Sequence, residues 1–512
     1  MPDDQLRSAQ GRWGHPPGLS PLFHTELWER FSFYGMRGLL VLYMTAAVSE
    51  GGLGFDVARA GAIYGLYSGL VYLACLPGGW LADRFLGTRR ATLSGGLLIL
   101  AGHLCMAWPV PDGLYLGMAF LVLGTGLLKP SISTLVGQLY GPGDPRRDSG
   151  FSLYYMGINI GAFLAPLACG WLALSPPVRA WLQGAGLSPQ LAWHAAFGAA
   201  ALGMLIGLVI FQRARAVLPA ASEHPAHAPG PREWRRLRHA SASALGVVII
   251  LAAAMALGHI SVQDLSNLFG GLLLTLVILF FGWLLFAPGW SEEERRNLRL
   301  ILVLFLGAVV FWSLFEQGSS TLTLFAERNT DRHLDWLGYA FPTTWFHSLN
   351  PMLIISLAPV FAVFWVRLGS RNPAPTTKFA LGLLLVAAGF GVLFMAAQLA
   401  ATGAKVSPLW LVATYVLHSL GELCLSPVGL SAMTRLAPAR IAGLTMGVWF
   451  LAASVGNYLG GRVAAVYERF TLSELFGTVA SIGLVAAALL AWCMRGRGVS
   501  SADPSSVRPG EH

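Results

Sequence analysis

Arg37, Lys129, Glu316 and Glu422 each stand inside a long run of apolar residues. An ionisable side chain at bilayer depth is costly, so such groups pair, line a wet cavity or carry function. The two cations fall in the first half of the chain and the two anions in the second. That sign pattern suits a carrier whose halves are tied together by charge. Upstream of Arg37, Glu26 and Arg30 are spaced i,i+4, with Glu29 beside them. Helical geometry puts Glu26 and Arg30 on one face, acid before base, and sets Arg37 two turns further along the same side. A glutamate paired with an arginine keeps its charge, whereas an unpaired, dry glutamate takes up a proton. That exchange is the chemistry of proton coupling, and Glu26, Glu29, Arg30, Glu316 and Glu422 are the groups able to perform it.

The elements that position these groups must be membrane helices. Of 512 residues, 55% are hydrophobic and only 12% charged, and the mean hydropathy is +0.60. That is too little charge to cover a soluble protein of this length. The apolar blocks reach the roughly 20 residues that a helix needs to cross a bilayer. They predict an all-α membrane protein with about 14 spans between residues 22 and 494. An even number puts both termini on one side. One alternate set of loops holds Arg84, Arg89, Arg90, Arg146, Arg147, Arg213, Arg215, Arg232, Arg235, Arg236, Arg238, Arg295, Arg296, Arg367, Arg371, Lys378, Arg435 and Arg440, while the other holds little beyond Arg179, Arg328, Arg332 and Lys405. The rich set, and both termini with it, are expected on the cytoplasmic side. The same placement accounts for the net charge of +9 and argues against a nucleic-acid partner. Cys75, Cys105, Cys169, Cys424 and Cys493 lie in apolar segments without paired spacing and read as packing residues, not disulfides or metal ligands.

Composition also divides the chain. A polar tail over 1–21 precedes six spans over 22–212. Residues 213–239 are Pro/Ala-rich and basic, as a cytoplasmic linker is, and two bland apolar spans follow, so 213–296 reads as linker plus two inserted helices that face lipid or pack passively. Six further spans occupy 297–495, and 496–512 is a second cytoplasmic tail. Without the insertion, the four buried charges fall on spans 1, 4, 7 and 10, a period that suggests three-helix repeats of the kind transporters use. No HExxH, GxSxG or P-loop is present, so no enzyme chemistry is indicated.

The stretch Gly79-x-Leu-Ala-Asp83-Arg84-x-x-Gly87-x-Arg89-Arg90 resembles the loop 2–3 motif of the major facilitator superfamily. Its arginines and Asp83, which can bond neighbouring helix N-termini or arginines, read as a conformational latch. Narrower matches follow in order: Glu26-x-x-Glu29-Arg30-Phe31-x-Phe33-Tyr34-Gly35, Gly124-x-Gly126-x-x-Lys129-Pro130, Tyr154-Tyr155-x-x-Ile158-Asn159-x-Gly161, Phe311-Trp312-x-x-Phe315-Glu316, Trp345-Phe346-x-x-x-Asn350-Pro351, Gly421-Glu422-x-x-x-Ser426-Pro427 and Gly447-x-Trp449-Phe450. Together they resemble the proton-dependent oligopeptide transporters, bacterial type, whose inserted helix pair this chain also shares. Phe33 replaces the first tyrosine of the family's YYG, removing one hydroxyl from the expected cavity. Ser131 replaces the asparagine after Lys129-Pro130, and the second span lacks the histidine of mammalian members.

The resemblance implies a major facilitator fold, with two six-helix bundles plus two inserted helices. It implies a proton-coupled symporter importing di- and tripeptides by alternating access, with a carrier of nitrate or another small solute as the alternative. It implies no cofactor, the proton gradient being the driving force, a monomer, and residence in a bacterial inner membrane. It also implies two gating pairs, Arg37 with Glu316 closing the outside and Lys129 with Glu422 closing the inside. A zwitterionic peptide would set its carboxylate on Arg37 and Lys129 and its ammonium on Glu422, with Asn159 and Asn350 on its amides. Tyr34, Tyr72, Tyr155, Trp312, Phe315, Ser426, Trp449 and Phe450 would complete the walls. His103, His347 and His418 read as satisfied polar contacts outside the mechanism.

Overall fold

The computed structural model describes residues 12–110, 112–141, 144–225, 229–335, 338–438, 441 and 445–495. Residues 1–11 and 496–512 of the expected tails, and Arg440, lie outside these. The helices are α1 (Leu19–Thr45), α2 (Val57–Leu81), α3 (Thr88–Ala107), α4 (Gly113–Gln138), α5 (Arg147–Leu174), the short α6 (Pro176–Gly184), α7 (Leu191–Arg213), α8 (Pro231–Ala256), α9 (Val262–Phe286), α10 (Glu292–Phe315), the short α11 (Thr321–Asn329), α12 (Leu349–Arg367), α13 (Pro375–Ala400), α14 (Leu409–Leu436), α15 (Thr445–Ala465) and α16 (Leu472–Arg495). Helices satisfy every backbone group internally, as hydrocarbon demands. Their starts are written in the sequence. Ser291 Oγ accepts from the Glu294 amide at 3.1 Å, while the Glu294 carboxylate accepts from the Ser291 amide at 2.8 Å. Ser261 with Asp264 does the same for α9, and Thr471 with Glu474 for α16, a reciprocal cap that fixes where each helix begins.

The chain builds two apolar cores. One draws on residues from Leu19 to Leu218, the other on residues from Phe269 to Leu490. They meet at the end opposite the arginine-rich loops, where Leu324, Tyr467 and Leu475 of the second half join the core of the first. There α2 crosses α15 on small residues. A Cβ on Gly65 would stand 3.0 Å from Gly461 Cα and 2.9 Å from the Tyr458 carbonyl, so only glycine permits this approach. Beside it, α5 receives the 3-10 turn Thr343–Ser348. Ser348 Oγ donates to the Phe163 carbonyl (2.7 Å), Thr344 Oγ1 to Pro166 (3.0 Å) and Trp345 Nε1 to Leu167 (3.2 Å). At the arginine-rich end, α4 and α14 form no comparable seam among the described residues.

Two features depart from the sequence reading. The first of the six spans expected over 297–495 is broken: α10 stops at Phe315, Glu316–Ser319 form a 3-10 turn, and Ser320 (φ −134°, ψ −91°) redirects the chain into α11. The Gln317 amide holds the break by donating to the Ser313 and Gly460 carbonyls at 2.8 and 3.0 Å. The inserted pair is also unequal. No described residue of α8 is buried, whereas α9 docks on α2, α10 and α15 through Phe269, Leu273, Phe281 and Leu284, and Tyr458 Oη donates to the Ser266 carbonyl at 2.9 Å. α9 is thus part of the second core rather than a passive lipid-facing helix.

Candidate functional site

α1 carries charge along one face, as its i,i+4 spacing requires. Arg30 Nε lies 3.3 Å from Glu26 Oε1, and Arg30 Nη2 donates to Glu29 Oε1 at 2.6 Å. All three side chains are buried. Two carboxylates share one guanidinium, so the cluster has a net negative charge when both are ionised and none once either holds a proton. Glu26 Oε2 has no hydrogen-bond partner among the described residues. Two turns on, Arg37 forms an ion pair with Glu316, which sits at the break between α10 and α11. Both are 5% exposed. Arg37 Nε and Nη2 also donate to Tyr64 Oη at 3.0 and 2.8 Å, and Tyr64 in turn donates to Glu316 Oε2 at 3.4 Å. The three groups come from α1, α2 and the break, so they bind the two halves together at the end opposite the arginine-rich loops.

Deeper between the halves the arrangement is open. The Lys129 ammonium lies over the Tyr72 ring at 4.3 Å and faces Phe450 at 6.0 Å. Glu422 Oε2 accepts from Asn350 Nδ2 at 2.8 Å, and the same amide donates to Ser419 at 3.0 Å. Glu422 is within Coulombic reach of Tyr34 on α1 and Tyr155 on α5. Tyr155 is exposed, and Tyr34, Tyr72, Trp312, Phe315, Ser426, Trp449 and Phe450 are half-buried. Trp312 packs edge-on to Phe315 (5.7 Å) and Trp449 (6.4 Å). These aromatic faces bracket a cation on one side and a carboxylate on the other. Ser426 Oγ and Trp312 Nε1 are left without partners among the described residues. Asn159 Nδ2 donates to the Tyr155 carbonyl at 2.9 Å.

The POT family model matches residues 89–482. A peptide transporter of Yersinia enterocolitica is 42% identical over 479 residues, covering 90% of each chain. A di-/tripeptide transporter of Lactococcus lactis subsp. cremoris is 34% identical over 489 residues, covering 93% of this chain and 95% of the relative. The chain belongs to the POT family. Among solved structures, a mutant peptide transporter POT in complex with alafosfalin superposes with a TM-score of 0.85 at 42% identity, covering 96% of both chains. A POT family transporter in complex with 5-aminolevulinic acid gives 0.87 at 32% identity, covering 96% of this chain and 99% of that one. The chain is thus a multi-pass membrane transporter of major facilitator architecture, and the nitrate alternative is not favoured.

Within this POT-family frame several expectations need correction. Lys129 and Glu422 are not an ion pair: α4 and α14 stand apart, and Asn350 supplies the partner that Lys129 was expected to give. Asn350 therefore has its amide engaged rather than free for a peptide. Arg37 is closed to ligand in this state, because Glu316 and Tyr64 occupy its guanidinium. Phe33 is buried rather than cavity-facing, with Arg30 and Arg37 over its ring at 5.0 and 5.8 Å. The latch also differs. A π-helical turn, Ala82–Leu86, ends α2, and it leaves Asp83 exposed and without a partner among the described residues while Arg84 bonds Glu233 of α8 (Nε to Oε1, 3.1 Å). Phe85 packs edge-on to Trp234 at 5.0 Å. Arg89 pairs with Glu223 of the linker at 3.4 Å, Arg215 joins it at 3.0 Å, and Arg90 is exposed. The loop 2–3 motif is thus fastened to the linker, which the sequence reading treated as a plain connection. Tyr64 escaped the sequence reading as well. Its one signal was a hydroxyl on a span that also carries Tyr67, Ser68 and Tyr72, and packing tyrosines share it.

Proposed function

We propose that this chain is a proton-coupled symporter that imports di- and tripeptides across a bacterial inner membrane. The arginine-rich end and both termini are cytoplasmic on this reading, by the positive-inside rule, and the functional unit is the monomer. One observation carries the reading: the Arg37–Tyr64–Glu316 linkage is closed while Lys129 and Glu422 stand apart. Alternating access needs such an asymmetry, with one gate shut and the other open. Here the shut gate is the outer one.

A peptide entering from either side meets Lys129 with its carboxylate and Glu422 with its ammonium, and the ammonium displaces Asn350. Tyr34, Tyr155, Trp312 and Trp449 offer apolar area with polar edges to varied side chains. A buried ion pair adds little net stability yet is costly to break from one side. A proton on Glu316 removes the charge that holds Arg37, so the outer seam can part. A proton on the Glu26–Glu29–Arg30 cluster or on Glu422 is released to the cytoplasm with the peptide. The test is uptake of a labelled dipeptide into proteoliposomes under an inward acid gradient. Glu26→Gln and Glu422→Gln should each lower acid-driven uptake; full acid stimulation in both would remove these groups from the coupling.

A further inference from the structure

The linker and the loop 2–3 motif enclose a cavity of about 450 Å³ at the arginine-rich end. Three guanidiniums meet there from three elements. Arg89 comes from the first turn of α3, Arg213 from the last turn of α7, and Arg215 from the 3-10 turn Ala214–Val217 that opens the linker. Glu223 is the one acidic residue in the lining among the described residues. Its Oε1 accepts from Arg215 Nη2 at 3.0 Å, and its Oε2 lies 3.4 Å from Arg89 Nη1. Both carboxylate oxygens are thus taken, and Arg213 has no acidic partner among the described residues. Three cations against one anion leave two positive charges in one cavity.

Like charges repel, and arginines on separate elements would spread apart if the backbone let them. Here it does not. Leu218 is buried in the first core, and the Val217 carbonyl would stand 3.1 Å from a Cβ on Gly18 of α1. Gly87 (φ +80°) brings the loop so close to the linker that a Cβ there would be 2.9 Å from the Glu223 carbonyl oxygen. The Arg89 side chain is only 13% exposed. It also stands at a helix N-terminus whose first amides no side chain caps. That end of a helix disfavours a cation and favours an anion.

We propose that this cavity binds a phosphate group, seated on Arg213 and shared with Arg215 and Arg89. Guanidinium and phosphate pair through two parallel N–H···O bonds. The Arg213 fork is free for this, and the other two arginines keep N–H groups beyond those turned to Glu223. Glu223 repels the phosphate at short range, which places it on the Arg213 side. The cavity lies at the ends of two helices of bilayer-spanning length, α3 and α7. An anionic phospholipid headgroup brings a phosphate to that level, and inorganic phosphate brings the same chemistry from solution. Either supplies the missing counter-charge and fastens the linker to the first bundle. The site does not depend on the symport reading.

The test uses the full chain, purified in a zwitterionic detergent. It is titrated with dioctanoyl phosphatidylglycerol and, separately, with inorganic phosphate at fixed ionic strength, and native mass spectrometry counts the molecules retained. Wild type should retain one molecule of probe. Arg213→Gln should weaken that binding about tenfold or more, and Arg213→Lys, which keeps the charge without the fork, should weaken it less. Arg90 is exposed at the same end and does not line the cavity, so Arg90→Gln should change binding by less than about twofold. Retained phosphatidylglycerol that excess phosphate does not displace identifies the headgroup as the source; retained phosphate identifies the free ion. Equal weakening in Arg213→Gln and Arg90→Gln would overturn the proposal, since the arginines would then act only as a diffuse positive surface. So would a wild type that retains neither probe.

Discussion

Tyr64→Phe is the narrowest perturbation of the outer gate. It removes one oxygen and keeps the ring that Arg37 faces at 5.8 Å. In the closed state that oxygen accepts from Arg37 Nε and Nη2 and donates to Glu316. Nε has no other acceptor among the described residues, so the change leaves a buried charged donor unmet. Hydrogen bonds to charged groups are worth about 1.5–3 kcal/mol. With the seam open, water replaces the phenol, so the loss falls on the closed state alone. A shift of about 2 kcal/mol changes the ratio of states about 30-fold, taking a closed-to-open ratio of about 100:1 to about 3:1. The assay is a spin-label distance across the outer face, in a cysteine-free background, between Val48→Cys and Phe470→Cys. Both positions are exposed, at 69% and 54%, and sit in loops of opposite halves. Wild type should show one short distance, and Tyr64→Phe a second, longer population of about a quarter. A single unaltered distance would refute the role given to the phenol.

Arg37→Glu and Glu316→Arg should each abolish acid-driven uptake, and the double swap should restore a measurable part of it; persistent loss in the swap would count against the ion pair as the gate. Asn350→Ala frees Glu422 from its neutral partner while keeping the carboxylate, and should tighten dipeptide binding by up to about tenfold in equilibrium binding, because the ammonium no longer has an amide to displace, whereas Glu422→Gln should weaken it. Arg89, and less strongly Arg215, hold the Glu223 carboxyl below the usual carboxylate range. Its contribution to linker docking is therefore present at neutral pH and is lost as pH falls through that depressed value. Glu223→Gln should mimic the acid state at pH 7, seen as faster trypsin cleavage after Arg215; an unchanged cleavage rate would show the docking to be independent of this charge.

The span pattern was legible because hydrocarbon tolerates so few charges that each exception stands out, and Glu26, Arg30 and Arg37 sit where helical spacing places them. The break at Glu316 was not legible. Gly318, Ser319 and Ser320 are common in membrane helices, and what stops the helix is tertiary: the Gln317 amide reaches Gly460 on α15. Asn350 was legible as polar but not as a partner of Glu422, because its position on α12 relative to α14 is set by packing. α9 looked bland for the same reason. Its aromatic and leucine residues are the usual stuff of a lipid face, and only the seam offered by Gly69, Tyr458 and Phe305 makes them core.

The gate and the proton cluster lie two turns apart on α1, and Phe33 explains how they act on each other. Arg30 and Arg37 both lie over its ring, at 5.0 and 5.8 Å. Two cations drawn to one buried ring are each favoured by it and repel one another. When Glu26 or Glu29 takes a proton, the cluster passes from net negative to neutral, and its pull on the Arg37 cation falls. Arg37 is then held by Glu316 and Tyr64 with less competition, so protonation of the cluster favours a shut outer gate while the inner side stands open. A tyrosine at this position would add an oxygen that accepts from one guanidinium and screens it from the other. Phe33→Tyr should therefore leave peptide counterflow intact and loosen the dependence of uptake on the acid gradient. The two assays need only be compared in one preparation. Equal loss in both would place Phe33 in peptide binding, and no loss in either would show that the ring carries nothing between the two charges.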